Sequence, residues 1–190
     1  MGPSAGTLRA VPAAATSSLL RPGLLDGLAV LLASAEPPSR FGEAVAARCG
    51  ELGAELGRVV VEPTGEEAEA RGWVDVVVWD GASVAGPRDV LDAGWLALRP
   101  QARAMIEAES GGKLLLIAPP PRDAAAEAAR AGLENLARTL SIEWARHGIR
   151  TAALHPGSET DPAELAELAA FLASRAGDYY SGCRFGLGEV

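Results

Sequence analysis

The sequence predicts a three-layer α/β sandwich built on a mostly parallel sheet of five to six strands. Two patterns carry that expectation. Short, continuous apolar runs alternate with segments whose apolar residues recur at helical spacing, as in strand–helix–strand crossovers. The runs also lack the polar–apolar alternation of a half-exposed strand, so both sheet faces must be covered. With 190 residues, 48% of them hydrophobic, the chain has the size and composition of one domain with a substantial core.

Residues 1–22 lack periodicity and are rich in small residues and proline, which predicts a flexible arm ahead of a domain spanning 23–190. "LAVLLAS" (Leu28–Ser34) reads as the first strand. The helix after it is capped by Ser39 and spaces Phe41, Val45, Cys49, Leu52 and Leu56 along one face. "RVVVEP" (Arg58–Pro63) is the second strand, "EEAEARG" a helical turn or two, and "VDVVVWDGA" (Val74–Ala82) the third strand. A long helix from Pro87 to Glu109 turns Val90, Leu91, Leu98 and Met105 inward, and Pro100 predicts a kink or break in it. "KLLLIAPP" (Lys113–Pro120) is the fourth strand. Next comes a helix from about Ala124 to His147, with Leu133, Leu136, Leu140 and Trp144 on one face and Gly148 to stop it. "IRTAALHPG" is the fifth strand. Asp161-Pro162 opens the last helix, which carries Leu165, Leu168, Phe171 and Leu172, and "GCRFGLGEV" is a short sixth strand or tail.

Charge excludes two classes of partner. A net charge of −8 and a pI near 4.8 leave no basic surface for nucleic acid or an anionic membrane. Cys49 and Cys183 suggest neither a disulfide framework nor a metal site, and Cys49 falls on the apolar face of its helix as a packed thiol. No apolar run reaches the roughly 18 residues of a membrane span. "LLDGLAVLLASA" mimics a signal peptide, but Asp26-Gly27 interrupts it and a turn before a buried strand accounts for it better. A cytoplasmic protein is expected.

Three stretches then resemble the short-chain dehydrogenase/reductase superfamily. "VDVVVWDGASVAG" is similar to the family's fourth strand and "NNAG" turn, with Trp79-Asp80-Gly81-Ala82 at the turn. "ARAGLENLARTLSIEWARHGIRTAALHPG" resembles the catalytic helix and the strand ending at Pro-Gly. "LAAFLASRAGDYYSGCRFGLGEV" resembles the last helix, its loop and the final strand. The resemblance covers a little over half the chain, from Val74 onward. It implies a Rossmann-like, flavodoxin-like domain with an NAD(P)-dependent oxidoreductase's ancestry.

The family's chemistry needs a Tyr as general acid or base, a Lys four residues on that lowers the Tyr pKa and holds the ribose, and an upstream Ser. Alignment on "GLENLARTL" puts Ala126 at the Tyr position and Arg130 at the Lys position, and the Ser position falls among Ala118 and Pro119 to Pro121. Lys113 is the only Lys, and Tyr179 and Tyr180 the only Tyr, so no Tyr-x-x-x-Lys pair exists in any register. The family's helix Asn is also missing; Asp92 is its nearest equivalent. The glycine-rich turn is replaced by "ASAEPPSRFG", in which prolines remove amide donors, Glu36 repels phosphate and only Gly42 survives. Arg40 at the helix N-terminus leaves room for a lone anion. The stretch from Glu62 to Val74 is short by about a strand and a helix. These departures resemble the non-catalytic, flavodoxin-like N-terminal domain of actinobacterial high-molecular-weight 3-oxoacyl-acyl-carrier-protein reductases.

The expected role is therefore a pseudoenzyme subunit without catalytic residues, cofactor or metal. It would self-associate or pair with a catalytic dehydrogenase acting on acyl thioesters. In the family the two long helices build a four-helix bundle between subunits, and Trp95, Leu98, Met105, Leu136, Ile142 and Trp144 are the expected interface. One alternative is a divergent NAD(P)-dependent oxidoreductase using Tyr179 or Tyr180, His155 and Asp80. Another is a small-ligand module lined by Ser34, Asp80, Ala118 and His155 at the strand ends. The plainer expectation for His155 is a turn histidine bonded to backbone, and for the Tyr pair a loop anchor.

Overall fold

The computed structural model describes residues 19–72 and 74–188; most of the expected arm, residues 1–18, lies outside them. Among the described residues six strands run β1 (Ala29–Ser34), β2 (Glu55–Val60), β3 (Val76–Asp80), β4 (Gly112–Ile117), β5 (Ile149–Pro156) and β6 (Cys183–Leu187). Four helices join them: α1 (Arg40–Glu51), α2 (Pro87–Glu107), α3 (Ala124–Glu143) and α4 (Pro162–Ala173). The strand order is β2-β1-β3-β4-β5-β6 and every pairing is parallel. This is the flavodoxin-like order with one strand added at the β5 edge. Among the described residues no helix is long and apolar enough to cross a membrane.

Side-chain alternation along the strands splits the core in two. Ala33, Val77, Trp79, Leu114, Leu116 and Ala153 face α2 and α3; Val30, Leu32, Val76, Val78, Leu115 and Leu154 face α1 and α4. The register aligns Ser34, Asp80, Ile117, Leu154 and Phe185 across the carboxyl ends of five strands.

Local structure departs from the sequence expectation in four places. Helix α1 stops at Glu51 because Gly53, at φ 98°, turns the chain back, and the Leu52 carbonyl accepts from Leu25 N–H. Leu56 therefore leaves the helix face for β2, which begins at Glu55 rather than Arg58, and sits exposed on that edge strand. "EEAEARG" forms no helix but a strap along α2. Pro100 does not break α2, which runs on through it to Glu107. It has no N–H for the Leu96 carbonyl, and that carbonyl accepts instead from Ala68 N–H of the strap at 3.1 Å. Gln101 fastens the same strap, accepting from Arg71 N–H and donating to the Glu69 carbonyl, and Arg99 pairs with Glu67. Finally, α3 ends at Glu143 in a short 3₁₀ turn, Ala145–His147, before Gly148 at φ 70°.

The one lysine is a staple at the sheet's amino-terminal edge. Lys113 Nζ donates to the carbonyls of Leu172 and Ser174 at the end of α4 and pairs with Asp178 at 2.8 Å. Burial pushes its pKa down, opposed by Asp178.

Candidate functional site at the carboxyl ends of the strands

The candidate residues reach the same edge of the sheet but not the same pocket. Strand alternation sends Ser34 and Asp80 to the α1 side and Ala118 and His155 to the α3 side, all of them buried.

On the α1 side the decisive group is Asp80, at the end of β3 and fully buried. Its carboxylate accepts from the backbone N–H and the hydroxyl of Ser39, both at 2.7 Å. Ser39 in turn caps α1: its oxygen accepts from Phe41 and Gly42 N–H at 3.2 Å, and its carbonyl takes Glu43 N–H. A helix N-terminus is an anion site because its first N–H groups are orphaned and its dipole is positive. Here the anion is the protein's own. A β-carbon on Gly42 would stand 2.7 Å from Asp80 Cγ, so the surviving glycine makes room for this carboxylate. The turn beyond is closed as well, since Ser83 donates to the Asp80 carbonyl and accepts from Ala35 N–H. Burial pushes the Asp80 carboxyl above its ordinary value, the Ser39 hydrogen bonds oppose the rise, and the charge of Glu43 adds to it. Arg40 points away from this point: it is exposed, with its guanidinium 4.7 Å from the Phe41 ring centroid.

On the α3 side Arg130 is buried at the first turns of the helix, one turn beyond Ala126. Its Nη1 donates to the carbonyls of Pro119 at 2.9 Å and Pro156 at 2.7 Å, tying the ends of β4 and β5 together. A cleft of about 290 Å³ opens beside it, lined by Glu127, Arg130, Glu134, His155 and Arg184 with Pro121 and Ala131. Its charges are paired: Arg130 lies 3.7 Å from Glu127, and Arg184 3.7 Å from Glu134. The lining holds no hydroxyl or thiol. His155 supplies its one imidazole, and the volume suits a small polar molecule, at the low end of ligand sites.

The tyrosines lie elsewhere. Tyr180 packs against Phe171 and Phe185, and the loop carrying it joins the amino-terminal part of β5 through Gly182 N–H to the Thr151 carbonyl. From Thr151 to His155 the strand rises about 13 Å, so neither Tyr179 nor Tyr180 shares the cleft.

The structure also sorts the expected interface residues. Leu98 and Met105 are buried in the protein's own core and offer no surface to a partner. Leu136 and Trp144 pack partly against that core. Trp95 and Ile142 are exposed, Ile142 at 76%. Trp95 and Trp144 stack with centroids 6.2 Å apart and planes 15° from parallel, and Arg99 lies over Trp95. The Asp80–Ser39 link was invisible in the sequence. Each residue carries its own signal, a strand end and a helix cap, but only the adjacency of β1 and β3 brings them together.

The overall arrangement matches solved dehydrogenases. A citronellol catabolism dehydrogenase of Pseudomonas aeruginosa PAO1 superposes with a TM-score of 0.70 at 21% identity, covering 90% of this chain and 97% of that one. The chain shares a Rossmann-like α/β fold with these dehydrogenases. A gluconate 5-dehydrogenase of Burkholderia cenocepacia J2315, solved with NADP and tartrate, matches with a TM-score of 0.69 at 19% identity over 86% of this chain and 94% of its own. No family model matches the sequence. At these identities the likeness is one of fold, and activity has to be argued from the site.

Proposed function

We propose that this chain is a dehydrogenase-fold subunit without catalysis. It associates with itself or with a catalytic short-chain dehydrogenase, and the sequence resemblance suggests one acting on 3-oxoacyl or 3-hydroxyacyl thioesters. The observation that carries the reading is the α1 N-terminus, where the Asp80 carboxylate takes the Ser39 N–H and hydroxyl and the Ser39 oxygen takes the Phe41 and Gly42 N–H groups that a dinucleotide's pyrophosphate would need. A second anion there would meet a buried carboxylate, with the Ser39, Phe41 and Gly42 N–H groups already bonded. Arg130 supports the same reading, because its hydrogen bonds go to main-chain carbonyls instead of to a reacting group. Exposed Ile142 on α3, and the stack of Trp95 on α2 with Trp144 at the end of α3, offer apolar surface suited to association.

The dehydrogenase neighbours favour a second reading, a divergent NAD(P)-dependent oxidoreductase. In it His155, in the cleft, would be the proton donor. Two measurements separate the readings. Calorimetric titration with NADPH and NADH gives no binding heat under the first and binding under the second. Light scattering of the full chain gives a dimer or larger, and Ile142→Glu shifts it to monomer; a parent chain that is monomeric at all concentrations and retains no dehydrogenase subunit would end the association reading.

A further inference from the structure

A groove runs along the outside of the seam between α1 and α4, on the face opposite Trp95, and encloses about 840 Å³. Its floor and walls are small side chains, with Ala44 and Ala47 from α1 and Ala163 and Ala166 from α4. Its rim is acidic. Glu51, Asp161, Glu164 and Glu167 line it against a single cation, Arg48, which already bridges Glu51 at 3.0 Å and Glu167 at 2.8 Å. A shallow apolar floor within an acidic rim fits an extended peptide with small side chains, a positive charge and no carboxylate.

The chain carries such a peptide next to the groove. Leu19, the first described residue, itself lines the groove, although its side chain is 93% exposed. The residues before it contain no Asp or Glu and one cation, Arg9, within "LRAVPAAA" (8–15). Ten residues from Leu19 back to Arg9 reach up to about 33 Å, and α4 is about 18 Å long, so the tether spans the groove with length to spare. The tether also raises the local concentration of the peptide, so weak contacts suffice to hold it.

We propose that the α1–α4 groove is the docking site of this chain's own residues 8–15, with Arg9 at the acidic rim and Leu8 and Val11 over the alanine floor. Docking covers the outer seam of the two helices, which the Arg48–Glu167 pair also bridges.

Limited trypsin digestion of the full chain tests this, because Arg9–Ala10 is a cleavable bond within the proposed contact. Arg71–Gly72, on the exposed strap, is the internal reference. Docking predicts that the Arg9 bond is cut at least about tenfold more slowly than the Arg71 bond. In the variant Ala47→Gln/Ala163→Gln, whose two exposed positions fill the groove without adding a trypsin site, the Arg9 rate rises about tenfold and the Arg71 rate stays the same. An Arg9 bond cut as fast as Arg71 in the parent chain, or a rate untouched by filling the groove, overturns the proposal. Protection that strengthens with protein concentration also overturns it, because it places the segment in the groove of a second copy.

Discussion

Replacing Gly42 with alanine gives the sharpest test of how α1 is held. In an ordinary helix interior the change stabilises by about 1 kcal/mol, because alanine loses less backbone entropy. Here the new β-carbon would stand 2.7 Å from Asp80 Cγ, where carbon atoms require about 3.5 Å or more. Asp80 lies in the β3 end and α1 is packed on the sheet, so the carboxylate must leave its place. Overpacking of this kind costs about 1–3 kcal/mol. Losing the two Ser39 hydrogen bonds to a buried charge costs about 1.5–3 kcal/mol each, part of it regained from water. With the helix gain subtracted, Gly42→Ala should destabilise by about 2–4 kcal/mol. In an Asp80→Ala background the obstruction is gone, and the same substitution should be neutral or stabilising by up to about 1 kcal/mol. Urea denaturation of the four proteins of this cycle measures the coupling. A Gly42→Ala chain as stable as the parent, or an equal effect in both backgrounds, would refute the claim that the glycine serves the carboxylate.

Other consequences are measurable in the same way. Burial raises the Asp80 pKa, so the folded chain keeps that proton to higher pH than the unfolded chain. Its contribution to stability is complete below the ordinary aspartate pKa and is lost as pH rises through the raised value. The stability of Asp80→Asn relative to the parent should therefore increase between pH 4 and pH 7; a flat or falling difference contradicts the assignment. Lys113→Met removes the ammonium from the Leu172 and Ser174 carbonyls and should cost about 1–3 kcal/mol in urea, with Asp178 returning to water. A neutral result would mean that α4 needs no staple. Pro100→Ala would ordinarily restore about 3 kcal/mol to a helix, but the Leu96 carbonyl is already bonded to Ala68. The expected gain is under about 1 kcal/mol, with faster hydrogen exchange at the Ala68 amide, and a full gain would show that the strap bond contributes nothing.

Much of this architecture was legible in the sequence because it rests on periodicity. The apolar runs at Leu28–Ser34, Lys113–Pro120 and Ile149–Gly157 have no polar face, and a parallel sheet covered on both sides is their one good solution. Capping by Ser39 and Asp161 followed from local chemistry that the fold keeps. The errors came where a distant partner overrode a local rule. Pro100 should interrupt a helix, yet the strap supplies the donor that makes the free carbonyl harmless. Leu56 keeps helical spacing with Leu52, yet the glycine at 53 ends the helix between them. The candidate site was legible only as an inventory. Counting one lysine and two late tyrosines excludes a Tyr-x-x-x-Lys pair, but nothing in the letters says that Asp80 turns onto α1 while His155 turns away from it. That separation follows from strand parity once the register is known. Leu98 and Met105 fit an interface by helical arc alone, and the depth of the sheet beneath α2 takes them into the core.

The claim at the centre of this account is that the protein keeps the packing of a dehydrogenase while its own carboxylate fills the anion site of α1. Calorimetric titration of the full chain with NADPH at neutral pH tests it most directly. The account predicts no saturable heat up to about 1 mM cofactor, an affinity weaker than about −4 kcal/mol. Binding with a micromolar Kd would contradict it.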